Sequence, residues 1–327
     1  MMRPIVGIDI SKHFLDVVLI HVGHSHYKTV DNDAAGFLCL RNWLKAKGCH
    51  TAHICMEATG QYGDAVAVFL HSHGYHISVV NPARTKAYAA SRLKRNKTDK
   101  ADALLIAEFC QNEKPPLWTP PRPVFQALKA LVHQLDDLMA IKQQEYNRLE
   151  FSASVTLVNA ILHEHIEFLE AKIKVVQKAI SELIEQDSQL KHQKDLLLSI
   201  PGIGERTAAR LLAEIRDFRE FRNARQLAAY AGLNPRQHIS GSSIHRKTRL
   251  SKTGNATLRR ALFMPAVVAK KHNPIIKDFC QRLSDTGLTN MAVIGAAMRK
   301  LLHLAFGVIK TDSPFDPYYL QKEVIHA

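Results

Sequence analysis

Acidic residues are scarce: 30 Asp and Glu stand against 44 Lys and Arg in 327 residues, a formal charge of +14. A deficit of this size argues against an acidic or membrane-repelled surface and points to a polyanionic partner, with nucleic acid first. Cysteine is also sparse. The five present, Cys39, Cys49, Cys55, Cys110 and Cys280, are odd in number and contain no Cys-x-x-Cys pair. A disulfide framework is therefore not expected, their spacing marks no thiolate zinc site, and a reducing cytoplasm suits them. With 15 Gly and 13 Pro, the chain is neither collagen-like nor a low-complexity linker, and 46% hydrophobic residues exclude a disordered polypeptide. No apolar run reads as long enough to span a bilayer, and Asp9 interrupts the start before it can form a secretory core. The expected location is cytoplasmic, with no membrane partner.

The patterning divides the chain into three parts: 1–118, 119–195 and 196–327. In the first, strand patterns at Ile5–Ile10, Phe14–Ile20, His26–Val30, His53–Glu57 and His76–Val80 alternate with helix patterns at Asp33–Leu44 and Tyr62–Ser72. That order predicts a mixed α/β sheet with helices packed on it. Beyond Pro115, Pro116, Pro120 and Pro121 the strand signals vanish, so the remainder is expected to be all-α. In the middle part Ile166, Leu169, Ile173, Val176, Ile180 and Leu183 repeat at spacings of three and four, the pattern of a coiled-coil seam. The pattern leaves open whether the seam closes an intramolecular hairpin or joins two copies. The third part opens with Ile200-Pro201-Gly202-Ile203-Gly204, which resembles a helix-hairpin-helix turn. Gly202 and Gly204 would there expose backbone amides to a phosphate.

The positive charge is concentrated. Residues 83–97 include Arg92, Lys94, Arg95 and Lys97 and contain no acid. Residues 236–272 include Arg236, Arg246, Lys247 and Arg249, and again no acid. A single charge run is usually a solvated face. Two acid-free runs, each beside a candidate catalytic group, suit phosphate-backbone contact.

Four acids stand out by position. Asp9 interrupts an apolar strand, Glu57 ends another, and Asp99 and Asp102 lie three apart at a helix start. Buried carboxylates that converge need a cation, and an all-oxygen donor set suits Mg²⁺ or Mn²⁺. Each acid alone also has a plainer reading, as a loop-bonding residue or a helix-start residue.

The ordered motifs Gly7-Ile8-Asp9-Ile10-Ser11-Lys12, Cys55-Met56-Glu57-Ala58-Thr59-Gly60, Asn81-Pro82 and Asn96-Lys97-Thr98-Asp99-Lys100-Ala101-Asp102-Ala103 resemble those of the DEDD transposases. These are bacterial insertion-sequence recombinases of the one-hundred-and-ten family, similar to the Piv site-specific invertases. The resemblance continues through Tyr230-Ala231-Gly232-Leu233-Asn234-Pro235-Arg236, Ser240-Gly241-Ser242-Ser243 and Arg259-Arg260-Ala261-Leu262, nearly the whole chain. It implies a RuvC-like, RNase H-type N-terminal domain, with Asp9, Glu57, Asp99 and Asp102 binding a divalent metal. It further implies a C-terminal transposase domain whose serine nucleophile aligns with Ser240, Ser242 being the nearest alternative. A structured non-coding guide RNA, DNA of both element ends and target, and a dimeric to tetrameric assembly also follow from the resemblance alone. So does a nucleoid-associated location.

The expected activity is a DNA recombinase that excises and inserts a mobile element through serine attack and strand exchange. Three other readings stay in view. A RuvC-like nuclease on branched DNA would use the acids and water without Ser240. An actin-like ATPase would need phosphate-binding Gly-rich turns, which do not follow Asp9. A non-catalytic scaffold would leave the four acids unexplained. His238 and His245 flank the serine, but in a chain with 18 His their proximity assigns them no role.

Overall fold

The computed structural model describes residues 3–58, 60–92, 98–151, 155–215, 217–240 and 244–318. They fall into two compact units, Met1–Pro120 and Pro121–Ala327.

The first unit is α/β. Its strands are β1 (Ile5–Ile10), β2 (Phe14–His21), β3 (His24–Asp31), β4 (His53–Glu57) and β5 (His76–Val80). Its helices are α1 (Ala34–Ala46), α2 (Asp64–Ser72), α3 (Pro82–Ser91) and α4 (Asp99–Glu113). The sheet order is β3-β2-β1-β4-β5. The first three strands form an antiparallel meander, and β4 and β5 run parallel to β1. Alternation along β1 assigns its faces. Val6, Ile8 and Ile10 join Leu40 and Leu44 of α1 and Leu70 of α2 in one core. The opposite face carries Gly7 and Asp9 and receives α4. A Cβ at Gly7 would lie 2.2 Å from the Ala103 carbonyl oxygen and 2.3 Å from the Ala107 nitrogen, so only glycine lets helix and strand approach this closely.

The second unit contains α5 (Pro123–Phe151), α6 (Thr156–Gln186), α7 (Ser188–Leu198), α8 (Glu205–Glu214) and α9 (Ala224–Tyr230). A hairpin, β6 (Pro235–Ser240) and β7 (Ile244–Leu250), follows, and then α10 (Ala256–Ala261), α11 (Phe263–His272), α12 (Pro274–Asp285) and α13 (Asn290–Thr311). The seam of α6 turns inward: Ile166, Leu169, Ile173 and Ile180 are buried, and α5 and α6 pair within one chain. The ion pair Lys142–Glu170 (3.3 Å) and a contact between His165 and Glu145 (3.2 Å) join the two helices. Residues of α5 and α6 share one hydrophobic core with α8, α11 and α13.

Two expectations need correction. The C-terminal part is not purely helical, because β6 and β7 form an antiparallel ribbon. Its strands were hidden because basic residues replace the apolar half of the alternation and a register shift lies between Arg236 and His238. In addition, α13 is long and apolar enough to cross a membrane by length and composition. Arg299 and Lys300 masked that run, and the helix is instead a core element, with Val293, Ala297, Leu301, Leu302 and Ala305 fully buried.

Candidate active site

The side chains at Asp9 and Glu57 follow from strand parity. On β4, Ile54 and Met56 enter the α1/α2 core while Cys55 faces α4, so Glu57, two residues on, lies on the α4 side. The α4 helix begins beside them. Thr98 is its N-cap, its hydroxyl accepting from the Ala101 amide at 3.2 Å, which sets Asp99 and Asp102 in the first turn. The four acids thus come from two adjacent parallel strands and one helix start.

Their proximity bears on one carboxyl above all. Burial first, then the charges of Asp102, Glu57 and Asp99, push the Asp9 carboxyl from 3.8 up to about 6. An acid with a raised folded pKa favours the fold while protonated. That contribution is present below its unfolded pKa and is lost as pH rises through the folded value. In chelator, Asp9→Asn should therefore melt above the wild type at about pH 7, with the gap closing near pH 4. Equal melting temperatures of the two proteins at both pH values would remove the charge crowding.

Two positioning residues escaped the sequence reading. Thr85, fully buried on α3, donates its hydroxyl to Glu57 Oε1. Asn81 caps that helix, its side chain accepting from the Ala83 amide at 2.8 Å, with Pro82 at the first turn. The Asn81-Pro82 motif thus starts the helix that delivers Thr85. Asp16, opposite Asp9 in the β1–β2 register, accepts from the Thr29 and Tyr27 hydroxyls at 2.8 and 2.5 Å.

The donor set of Asp9, Glu57, Asp99 and Asp102 is carboxylate oxygen alone, and the raised Asp9 carboxyl reflects its burial and the nearby charges of the other three. Such a set fits a hard divalent cation.

In the second unit, Ser240 ends β6 opposite Ile244, and Arg236 pairs across the ribbon with Arg249. Both arginines are exposed. Like charges facing each other destabilise an isolated ribbon and suit one that meets a polyanion. The side chains of Ser240, Arg246 and Lys247 lie outside the described residues, as do Ser242, Ser243, Lys94, Arg95 and Lys97 entirely. Arg92 is exposed at the end of α3. The two candidate glycines differ. Gly202, at φ +107°, has its missing Cβ against Ala269, so its role here is close packing on α11. Gly204 caps α8 with open space around its Cα. A cleft of about 620 Å³, lined by His133, Asp136, Arg206, Arg210, Thr257 and Arg260 among others, was not read from the sequence because its cations come from separate helices.

Residues 6–151 match a transposase family of the DEDD, IS110 type, and residues 194–281 match the family described as Transposase IS116/IS110/IS902. The chain is 37% identical to the pilin gene-inverting protein of Moraxella bovis, over 97% of this chain and 98% of that one. It is 25% identical to the transposase for insertion sequence element IS1328 of Yersinia enterocolitica, over 81% and 83%. Among solved structures, Thermus-type RuvC ("T. thermophilus RuvC in complex with Holliday junction substrate") aligns at 14% identity and TM-score 0.28, covering 36% of this chain and all of that one.

Proposed function

Because this chain belongs to the IS116/IS110/IS902 family of transposases, we propose that it excises, inserts or inverts DNA by serine attack and strand exchange. The observation that carries the reading is the convergence of Asp9, Glu57, Asp99 and Asp102 from two strands and a helix start. The β3-β2-β1-β4-β5 order, antiparallel then parallel, supports a RuvC-like, RNase H-type assignment for the first unit.

In this mechanism the four carboxylates would hold Mg²⁺ or Mn²⁺, with Thr85 keeping Glu57 oriented, and the cation would supply charge stabilisation for phosphoryl transfer. Ser240 Oγ gives up its proton and attacks phosphorus, and a deoxyribose oxygen leaves as a hydroxyl. The resulting phosphoserine diester conserves the bond energy, so a second hydroxyl reseals the strand without ATP. Arg236 and Arg249, with Arg246 and Lys247 of the same ribbon, hold the phosphate backbone. Arg92, Lys94, Arg95 and Lys97, which precede Asp99 in sequence, do so as well, and the Gly202–Gly204 turn before α8 offers backbone amides.

A structured guide RNA pairs with donor and target DNA, so that base pairing reads sequence and the protein reads shape and backbone. The assembly is a homo-oligomer, dimer to tetramer. The exposed Ile161, Phe168 and Val175, seven apart along α6, offer a heptad stripe for it. These activities place the protein in the cytoplasm, on the nucleoid.

The test is a plasmid carrying the element ends and a target, scored for new junctions. Junctions in Mg²⁺ and none in chelator support the proposal, whereas nicks without junctions or adduct favour the water-activating nuclease. Binding should also fall steeply with salt. Neutralising Arg246, Lys247 and Arg249 together should flatten the log–log salt slope by about 0.9 per cation, about 2.7 in all. An unchanged slope would place the nucleic acid elsewhere.

A further inference from the structure

The face of β4 that meets α4 carries more than Glu57. His53 and Cys55 precede it at successive inward positions, and Cys110 approaches from α4. One ligand atom each of His53, Cys55 and Cys110 all lie within 4.8 Å of one another. Both cysteines are fully buried, among Val80, Ile106 and Phe109.

The surroundings fix the imidazole for ligation. Ser78, opposite Cys55 in the β4–β5 register, lies with its Oγ 2.8 Å from His53 Nε2. The same hydroxyl donates to the carbonyls of Pro115 and Pro116, at 3.1 and 2.8 Å. Its single hydrogen is thereby committed, so toward His53 it can only accept. In the tautomer with Nε2 donating to that hydroxyl, Nδ1 keeps a lone pair for a ligand. A ring N–H held by a neighbouring acceptor is the outer-shell arrangement of a metal-bound histidine.

We propose that His53, Cys55 and Cys110 form a second metal site, for a thiophilic cation of the zinc class, which fastens α4 to β4 behind the acidic cluster. Two thiolates and an imidazole are a poor set for Mg²⁺ and a good one for Zn²⁺, with a fourth position left for water. Zinc–sulfur bonds of about 2.3 Å bring tetrahedral ligands to about 3.8 Å apart, so closure draws α4 inward by about 1 Å or less. Binding releases the two thiol protons. The site stands apart from the acids in donor chemistry and does not depend on their role.

The experiment uses the full-length, reduced protein, stripped with chelator and titrated with Co²⁺ as spectroscopic probe, then Zn²⁺. The expected result is about one equivalent of Co²⁺ with a sulfur-to-cobalt charge-transfer band, displaced by Zn²⁺. Asp9→Asn should keep the band, and Cys55→Ser or Cys110→Ser should lose it. Ser78→Ala, which leaves all three ligands in place, should bind zinc about 10–100-fold more weakly. A folded wild type with no thiolate band overturns the proposal. So does a band that survives in the Cys55→Ser/Cys110→Ser double variant, or unweakened zinc affinity in Ser78→Ala.

Discussion

Recombination by Asp9→Ala, Glu57→Ala, Asp99→Ala or Asp102→Ala should fall to background, while DNA and RNA binding stay close to the wild type. The expectation rests on the division of labour between the two kinds of charge. The acids approach one another from β1, β4 and the first turn of α4, and burial, followed by the charges of the other three, raises the Asp9 carboxyl to about 6. They suit a cation and would repel a phosphate, so removing one costs the reaction more than it costs binding. Losing several kcal/mol of cation-borne charge stabilisation corresponds to about 10³-fold or more in rate. Asp9→Asn is the sharpest variant, because it keeps the shape of the side chain, relieves the crowding and removes a ligand. It should be more stable than the wild type in chelator and inactive in Mg²⁺. Full recombination by Asp9→Asn, or by the wild type in chelator, would sink the metal-dependent mechanism.

The second large effect concerns Ser240. A covalent protein–DNA adduct should form on this residue during the reaction, and Ser240→Ala should abolish both adduct and recombination with fold and binding intact. Ser240 ends β6 where the ribbon turns toward β7, inside a segment with no acid between residues 236 and 272. A strand end holds its backbone more firmly than a free loop, which favours a nucleophile that must meet phosphorus in line. Ser240→Cys should keep weak activity at most, since a thiolate attacks but forms a different phosphoryl bond. End-labelled DNA, denaturation and peptide mapping by mass spectrometry decide the matter. A label on Ser242 or Ser243 moves the nucleophile, and cleavage with no adduct in any variant favours attack by water.

Asp9, Glu57, Asp99 and Asp102 stood out in the sequence by position, and the family resemblance singled out the same four. An Asp within an apolar strand and two acids one helical turn apart are visible in sequence, and strand parity then carries Asp9 and Glu57 to one face. Thr85 was not legible, since a threonine in a basic helix carries no anomaly until the fold places it against Glu57. His53, Cys55 and Cys110 were hidden for the same reason: the last lies 55 residues from its neighbour, and only the packing of α4 on β4 joins them. The β6–β7 ribbon failed differently. Strand prediction relies on one apolar face, and a ribbon this rich in basic residues has little of it. The middle seam was read as a coiled-coil stripe, and periodicity did not fix its partner, because an antiparallel neighbour in the same chain and a second copy demand the same stripe; in the structure it packs against α5.

The contact between Gly7 and α4 has a mechanical consequence. Where a helix rests on long side chains, its height above a sheet varies with their rotamers and relaxes as they move. Here the spacer is main chain against main chain, with Ala103 and Ala107 the helix residues at the contact. The offset between the strand-borne acids and the helix-borne acids is therefore set by atomic radii, with no soft degree of freedom to average over. Such a joint has low compliance: it tolerates sliding along the strand far better than compression onto it. The backbone that carries Asp99 and Asp102 ends one residue before this joint, so its height above β1 is held by the same contact.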